Sequence, residues 1–143
     1  MKKIVFIIPV IVTLVLFAES PVKIHQNEGI KFFEGTWKEA VLKAKKENKH
    51  IFLDISASWC GPCKMLKRYT FTNPEVGTFY NKNFISMEVD GEVGEGLILA
   101  ERFQIQGYPS LIFLDKNEKV IMATAGYKPV NDLLGLGKRV TGQ

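Results

Sequence analysis

The sequence predicts an α/β fold in which a central mixed sheet carries helices on both faces. Short apolar runs alternate with amphipathic helical segments along most of the chain, and two strand-like runs, 110–115 and 119–125, flank a short polar turn. Alternating strands and helices are typical of a sheet covered on both sides, and the hairpin adds antiparallel pairing. The chain of 143 residues suits one such domain.

The first half of the domain is predicted to run strand, helix, strand. Residues 30–34 form the first strand. Residues 36–48 form an amphipathic helix, because a threonine and a glutamate stand at capping-box spacing at its start and apolar residues recur at helical spacing. Residues 51–55 are apolar on both faces apart from Asp54, which indicates a central strand.

The second half is predicted to continue with helices and strands in alternation. A short helix opens at Asn73 and Pro74, since asparagine is a preferred cap and proline suits the first turn. The other predicted elements are a helix over 60–69, a strand over 84–89, a loop over 90–96, a helix over 97–103, the hairpin, and a last helix over 131–140.

The N-terminal segment is predicted to direct export. Lys2 and Lys3 precede an apolar run over 4–17, and Ala18 offers a small residue for cleavage. We therefore assign residues 1–18 to a signal peptide, 19–29 to a polar leader and 30–143 to the folded domain. The apolar run falls short of the ~20 residues that a spanning helix needs. An uncleaved inner-membrane anchor is the alternative.

The charge excludes a nucleic-acid partner. The net charge is +4, and removal of Lys2 and Lys3 leaves 17 basic against 15 acidic residues. The lysines of the first helix alternate with glutamates, which is typical of a solvated helix face. No basic stripe with interleaved aromatic residues is present. We expect a monomer whose partners are proteins.

The chain contains only two cysteines, Cys60 and Cys63, separated by Gly61 and Pro62. A disulfide between them closes almost no loop, so it would stabilise the fold little, and redox chemistry is the better interpretation. Cys60 stands just before a predicted helix, where unpaired backbone N–H groups favour a thiolate. We expect Cys60 to be the exposed attacking thiol and Cys63 the more buried resolving thiol. Pro62 limits the turn between the sulfurs and is expected to tune the redox potential.

Asp54 is the candidate general base. A carboxyl group among apolar strand residues is costly when charged, so its pKa is expected to lie above the ordinary range. Such a group can accept the proton of Cys63 near neutral pH. The alternative is that Asp54 is simply solvated at a strand end.

Three features together resemble the thioredoxin-like superfamily. The stretch 59–64 reads Trp-Cys-Gly-Pro-Cys-Lys, Asp54 lies six residues before Cys60, and Pro109 opens a predicted strand. The resemblance implies a thioredoxin-like fold and a cis peptide bond at Pro109. It implies that the backbone near Tyr108 pairs with an extended substrate. Trp59 would lie beside the cysteines as an apolar docking surface, or otherwise be part of the core.

A narrower resemblance concerns residues 64–76, which look like the C-terminal periplasmic domain of the thiol:disulfide interchange protein DsbD. It implies an exported, periplasmic thiol–disulfide oxidoreductase that reduces protein disulfides and receives electrons from a membrane donor of the DsbD kind. No cofactor beyond the Cys60–Cys63 pair is implied. Ser56 and Ser86 depart from thioredoxin, which usually has an aromatic residue and a lysine at these places.

Two other functions use the same cysteines. Two thiolates suit a soft metal such as Cu(I), so a metal-binding module is the alternative to an enzyme. Structural zinc requires four ligands, and the chain supplies no matching second pair. A module that docks partners without turnover is the third possibility.

Overall fold

The computed structural model describes residues 28–143. The predicted signal peptide, and all but the last two residues of the predicted polar leader, lie outside this range. Within it, no helix combines the length and the apolar character needed to cross a membrane. The regular elements, in chain order, are α1 (Trp37–Glu47), β1 (His50–Ser56), α2 (Gly61–Met65), α3 (Pro74–Asn83), β2 (Phe84–Asp90), α4 (Gly94–Arg102), β3 (Ser110–Leu114), β4 (Val120–Ala125) and α5 (Val130–Thr141).

The four strands form one mixed sheet in the order β2-β1-β3-β4. The β1–β2 pair is parallel, and the β1–β3 and β3–β4 pairs are antiparallel. The predicted hairpin is β3–β4. The fold class predicted from the sequence is therefore confirmed.

The predicted first strand, 30–34, is wrong. In this segment only Phe32 pairs with β2, through a single parallel bridge to Ser86. Two residues earlier, the amide of Ile30 donates to the carbonyl of Phe71, at 2.7 Å, and not to β2. Because the Ile30 amide bonds the segment that follows the cysteine helix, this part of the chain pairs with β2 only around Phe32 and forms no strand.

The two faces of the sheet bury different halves of the core. Side chains alternate along a strand, so Ile51, Leu53 and Ile55 share one face and Phe52 and Asp54 share the other. The first set packs against α1 and α4. The second face lies under α2, α3 and α5 and is rich in aromatic rings. Asp54 therefore lies on the face that the cysteine helix covers.

The helix starts follow the predicted caps at two places and depart from prediction at a third. The capping box at Thr36 is confirmed, since Thr36 and Glu39 bond each other's backbone amides. Asn73 caps α3 by accepting from two amides. However, α4 begins at Gly94, three residues before the predicted helix. Its Glu95 accepts from the amide of Trp37 at 2.8 Å, so a contact between helices, which no local pattern reveals, fixes this start.

The helix after the cysteines changes its hydrogen bonding in the middle. It is α-helical over Gly61–Met65 and continues as a π-helical turn over Leu66–Thr70. The amide of Phe71 donates to the carbonyl of Leu66, five residues earlier, at 2.8 Å. Single π-helical turns are frequent at functional sites. The sequence predicted the extent of this helix but not the turn.

Candidate active site

Three chain segments meet at one edge of the sheet. Parallel strands β1 and β2 end at the same edge, and β3, antiparallel to β1, begins there. The cysteine loop follows β1, an acidic turn follows β2, and Pro109 precedes β3. The amide of Gly91 donates to the carbonyl of Ser56 at 2.8 Å and ties the first two segments together. The topology thus brings together residues that are distant in sequence.

The two cysteines form a disulfide, with their Cα atoms 5.3 Å apart. Cys60 is the N-cap of α2, and its sulfur accepts a hydrogen bond from the amide of Cys63 at 3.2 Å. Pro62 stands in the first turn of α2, where its fixed φ suits a helix start. A cap position aims backbone N–H groups at the sulfur, so this geometry favours negative charge on Cys60 when the disulfide opens. Nothing lies within 4 Å of the place where a Cβ on Gly61 would stand, so this side of the turn is open.

The prediction that the sulfur of Cys60 is exposed is wrong for this oxidised form. Cys60 is 2% exposed and Cys63 is 1% exposed. Ala57 packs against both cysteines, and Tyr108 covers the same cluster from the segment before β3. The covering residue comes from a position 48 residues later in the chain, which explains why the local sequence did not reveal it.

Trp59 lies beside the pair as predicted, and it is not part of the core. Its side chain is 66% exposed. Its ring meets that of Tyr108 edge to face, with centroids 6.0 Å apart, and its Nε1 donates to Glu92 at 3.0 Å. Tyr108, and not Trp59, shields the sulfurs. Sequence reasoning missed Glu92, whose only signal was the acid-rich turn after β2.

The peptide bond between Tyr108 and Pro109 is cis, as the family resemblance predicted. The carbonyl of Pro109 accepts from the amide of Gly126 at 2.9 Å, which anchors this segment to the end of β4. The Tyr108 ring lies against Gly91, where a Cβ would stand 2.7 Å from the ring. Desolvation, Glu92 and Asp90 raise the pKa of the Tyr108 hydroxyl.

Asp54 is fully buried, so the alternative of a solvated carboxylate is wrong. Its Oδ2 accepts from the Ser56 hydroxyl at 2.7 Å, and its Oδ1 has no partner within residues 28–143. Burial is the largest influence and raises the pKa of Asp54 to about 7. The Ser56 bond and Lys67 lower it, and Glu88 raises it. The group can therefore gain or lose a proton near neutral pH.

The register of helix and strand places Asp54 under the cysteine helix. Leu66 and Phe52 belong to one cluster, in which the π-helical turn that continues α2 meets β1. Cys63 lies one turn before Leu66 on the same helix face, and Asp54 lies two residues after Phe52 on the same strand face. From Leu66 back to Cys63, and from Phe52 on to Asp54, the chain moves toward the edge of the sheet where the three segments meet. The Asp54 carboxyl therefore lies beneath the helical turn that carries Cys63.

Within residues 28–143, no three or more His, Cys, Asp and Glu side chains are grouped so as to hold a metal ion. The metal-binding alternative given by the sequence uses the Cys60–Cys63 pair. Two thiolates are available to it only after the disulfide is reduced.

The comparisons with known proteins agree with this geometry. The Thioredoxin-like family matches residues 33–116, and the chain belongs to that family. A putative disulphide-isomerase from Bacteroides thetaiotaomicron, solved in solution, is 32% identical, with a TM-score of 0.70 over 80% of this chain and 94% of that one. A thioredoxin from Thermus thermophilus shares the fold, with 19% identity and a TM-score of 0.70 over 79% of this chain and 88% of that one.

Curated relatives match over shorter stretches. Thiol:disulfide interchange protein DsbD from Haemophilus ducreyi is 29% identical over 91 residues, which is 62% of this chain and 16% of that protein. Spermatogenesis-associated protein 20 from Rattus norvegicus is 50% identical over 54 residues, 38% of this chain and 7% of that protein. The chain thus spans only a small part of these relatives. With the fold and the joined cysteine pair, the comparisons place the chain in the thioredoxin-like class, with a cysteine pair whose chemistry suits thiol–disulfide exchange.

Proposed function

We propose that this protein is an exported reductase of protein disulfides that works by dithiol exchange through Cys60 and Cys63. The observation that carries the proposal is the joined pair at a helix cap, above a buried carboxyl group that titrates near pH 7. The cysteine pair itself is the redox group, with no resident cofactor.

The first step forms a mixed disulfide. In the reduced protein, the Cys60 thiolate attacks one sulfur of the substrate disulfide. The substrate S–S bond breaks, and its other sulfur leaves as a thiolate that takes a proton from solvent. Amide N–H groups at the start of α2 stabilise Cys60 before the attack. Because a lower thiol pKa also weakens the nucleophile, the larger gain comes from positioning the substrate in line with Cys60.

The second step releases the substrate. The Cys63 thiol gives its proton to the Asp54 carboxylate, and the new thiolate attacks the Cys60 sulfur. The bond between Cys60 and the substrate breaks, and the substrate leaves as a second thiolate. Two electrons pass from the protein to the substrate, and the product is the Cys60–Cys63 disulfide of this structure.

The substrate would lie across Trp59 and the segment before β3. Trp59 offers an exposed apolar ring beside the disulfide. Within the described residues the Tyr108 backbone takes part in no backbone hydrogen bond, so its amide and carbonyl are available to an extended substrate strand. Tyr108 must also move its ring aside, because it covers the sulfur that the substrate has to reach.

The supply of electrons is the remaining part of the proposal. A reductase in an oxidising compartment needs electrons from outside. The likeness to DsbD supports a periplasmic location and a membrane donor of that kind. We propose that the protein works as a monomer and meets both its donor and its substrates through the cysteine edge.

An insulin reduction assay tests the enzyme proposal, with dithiothreitol as electron source. We expect the wild type to accelerate precipitation of the insulin B chain and Cys60→Ser to return it to the uncatalysed rate. Reduced Cys63→Ser, freed of dithiothreitol before it is mixed with insulin, should instead accumulate a mixed disulfide through Cys60, which a non-reducing gel shows as a shifted band. Equal rates for wild type and Cys60→Ser would refute turnover at this pair.

The direction of electron flow has its own measurement. We expect the reduction potential, from equilibration with glutathione, to be closer to that of thioredoxin, about −270 mV, than to that of a strong oxidant, about −120 mV. A value near the second figure would mean that the protein donates disulfides and does not remove them.

A further inference from the structure

A salt bridge beside the buried carboxyl links the cysteine helix to the edge of the sheet. The Nζ of Lys67 lies 2.6 Å from Oε1 of Glu88. Lys67 belongs to the π-helical turn, four residues after Cys63, and Glu88 belongs to β2. Nothing in the family match assigns these two residues a role.

The register of the sheet places Glu88 next to Asp54. The two residues are paired across β1 and β2, which puts their side chains on the same face. On the other side, Asp54 pairs with the apolar Leu111 of β3. Along its own strand the polar neighbour is Ser56, whose hydroxyl already donates to it. Glu88 is therefore the charged group that the sheet itself brings closest to Asp54.

The charges that act on Asp54 come from two residues only, within the described part of the chain. Glu88 and Lys67 influence it with opposite sign, and α3, α5 and β3 contribute no charge. The side chains of Lys67 and Glu88 are 46% and 29% exposed, whereas Asp54 is fully buried. A cavity of about 330 Å³, open to solvent, is lined by both members of the salt bridge. Both members of the salt bridge are thus in contact with water, whereas the Asp54 carboxyl is not.

We propose that Lys67 and Glu88 are a positioning pair that balances the charge beside Asp54 and so sets the pH at which Asp54 can take the proton of Cys63. The proposal rests on the function given above, because it assigns a regulator to the same resolving step. The charge of each residue opposes that of the other at Asp54. Loss of one charge therefore shifts the pKa of Asp54. The pKa falls if the positive charge remains and rises if the negative charge remains.

The test uses neutral substitutions of similar size. Glu88→Gln leaves the Lys67 charge uncompensated and should lower the pKa of Asp54. Lys67→Met leaves the Glu88 charge uncompensated and should raise it. A unit charge a few ångströms away at a partly exposed position corresponds to a shift of roughly one pH unit. The double variant should return to within about 0.3 units of wild type, because both charges are gone.

Two readouts are needed. The first is the carboxyl ¹³C chemical shift of Asp54 across a pH titration of the oxidised protein, with the signal assigned by its loss in Asp54→Asn. The second is the pH dependence of thiol release from a preformed mixed disulfide between Cys60 and a peptide thiol. In each readout, we expect the midpoint to move to lower pH for Glu88→Gln and to higher pH for Lys67→Met.

A matched control is present on the other face of the sheet. Lys43 and Glu47 on α1 form a salt bridge of the same length, 2.6 Å. Lys43→Met and Glu47→Gln should leave the Asp54 titration unchanged, and Lys67→Arg, which keeps the charge, should behave as wild type. A purely structural role would shift both single variants in the same direction or leave both unchanged, and either result overturns the proposal.

The readouts also separate this inference from the proposed function. Opposite shifts of the Asp54 signal in a protein that does not reduce insulin would uphold the charge coupling and refute the enzyme proposal. Full insulin reduction with no opposite shifts of the Asp54 signal would uphold the enzyme proposal and refute the charge coupling.

Discussion

Replacement of Asp54 by asparagine should make the protein more stable at alkaline pH and leave it unchanged at acid pH. The amide has nearly the shape of the carboxyl group, and its oxygen can still accept from the Ser56 hydroxyl. The substitution thus removes the charge and little else. Its effect follows from the pKa of Asp54, which burial raises from the ordinary 3.8 to about 7.

The sign of the effect follows from proton linkage. Between pH 3.8 and about 7 the folded protein keeps the Asp54 proton while the unfolded chain has lost it. This contribution to stability is complete below the unfolded pKa and is lost as the pH rises through the folded pKa. A rise of about three units corresponds to roughly 4 kcal/mol at 1.36 kcal/mol per unit. Because water penetration and relaxation reduce the cost of burial, we expect Asp54→Asn to gain about 2–4 kcal/mol at pH 8.

Urea unfolding of the oxidised protein at pH 4 and pH 8 measures this difference. Other carboxyl groups titrate in the same range, so only the difference between variant and wild type isolates Asp54. Asp115→Asn is a control of opposite sign, because backbone hydrogen bonds from Lys119 and Asn117 hold the pKa of Asp115 below its ordinary value. That variant should lose stability at pH 8 relative to pH 4.

Two results would refute the reasoning. A gain for Asp54→Asn that is equal at pH 4 and pH 8 would be an effect of packing and not of charge. A loss of stability at pH 8 would mean that the carboxylate is better stabilised in the folded protein than in water, so its pKa would lie below 3.8.

Three further substitutions test the cover of the disulfide and two local contacts. Tyr108→Ala should speed reduction of the disulfide by a small phosphine severalfold, because Tyr108 packs over the buried sulfurs; an unchanged rate in a stopped-flow assay would mean that another group limits access. Thr36→Ala should cost about 1 kcal/mol in urea unfolding, because it removes the cap of α1, and a loss below about 0.3 kcal/mol would contradict this. Tyr80→Phe should cost about 1 kcal/mol, since its buried hydroxyl donates to the carbonyl of Leu133 at 2.8 Å, and a neutral result would show that the bond contributes nothing net.

Local signals predicted most of the elements and the position of Cys60 at a helix start. The caps at Thr36 and Asn73 fixed two helix starts, because capping depends on residues only three positions apart. Burial of Asp54 followed from its apolar neighbours in β1. The cis bond at Pro109 followed only from the family resemblance. These features depend on neighbours in sequence or on a motif.

The features that sequence reasoning missed depend on contacts between distant segments. Tyr108, in the segment before β3, covers Cys60. The exposure of the Cys60 sulfur could therefore not be judged from the sequence of the cysteine loop. The comparison with thioredoxin pointed to Ser86 as the neighbour of Asp54. The register instead pairs Asp54 with Glu88, and Ser86 with Phe52. The neighbour of Asp54 thus lies two residues further along β2 than expected, and it is the charged Glu88 instead of the neutral Ser86.

The stability of the fold at pH 8 and the proposed chemistry of the site both depend on the pKa of Asp54. The same rise in the pKa of Asp54 that destabilises the fold at pH 8 would, in the proposed reaction, make the carboxylate basic enough to take a proton from Cys63. A change that lowers this pKa must therefore stabilise the folded protein at pH 8 and weaken the base by a corresponding amount. Because Lys67 and Glu88 act on the pKa of Asp54 with opposite sign, their pairing leaves that pKa governed mainly by burial, which raises it, and by the Ser56 hydrogen bond, which lowers it. The salt bridge at the sheet edge would then matter to this enzyme through the charge it neutralises, since an exposed ion pair contributes little stability of its own.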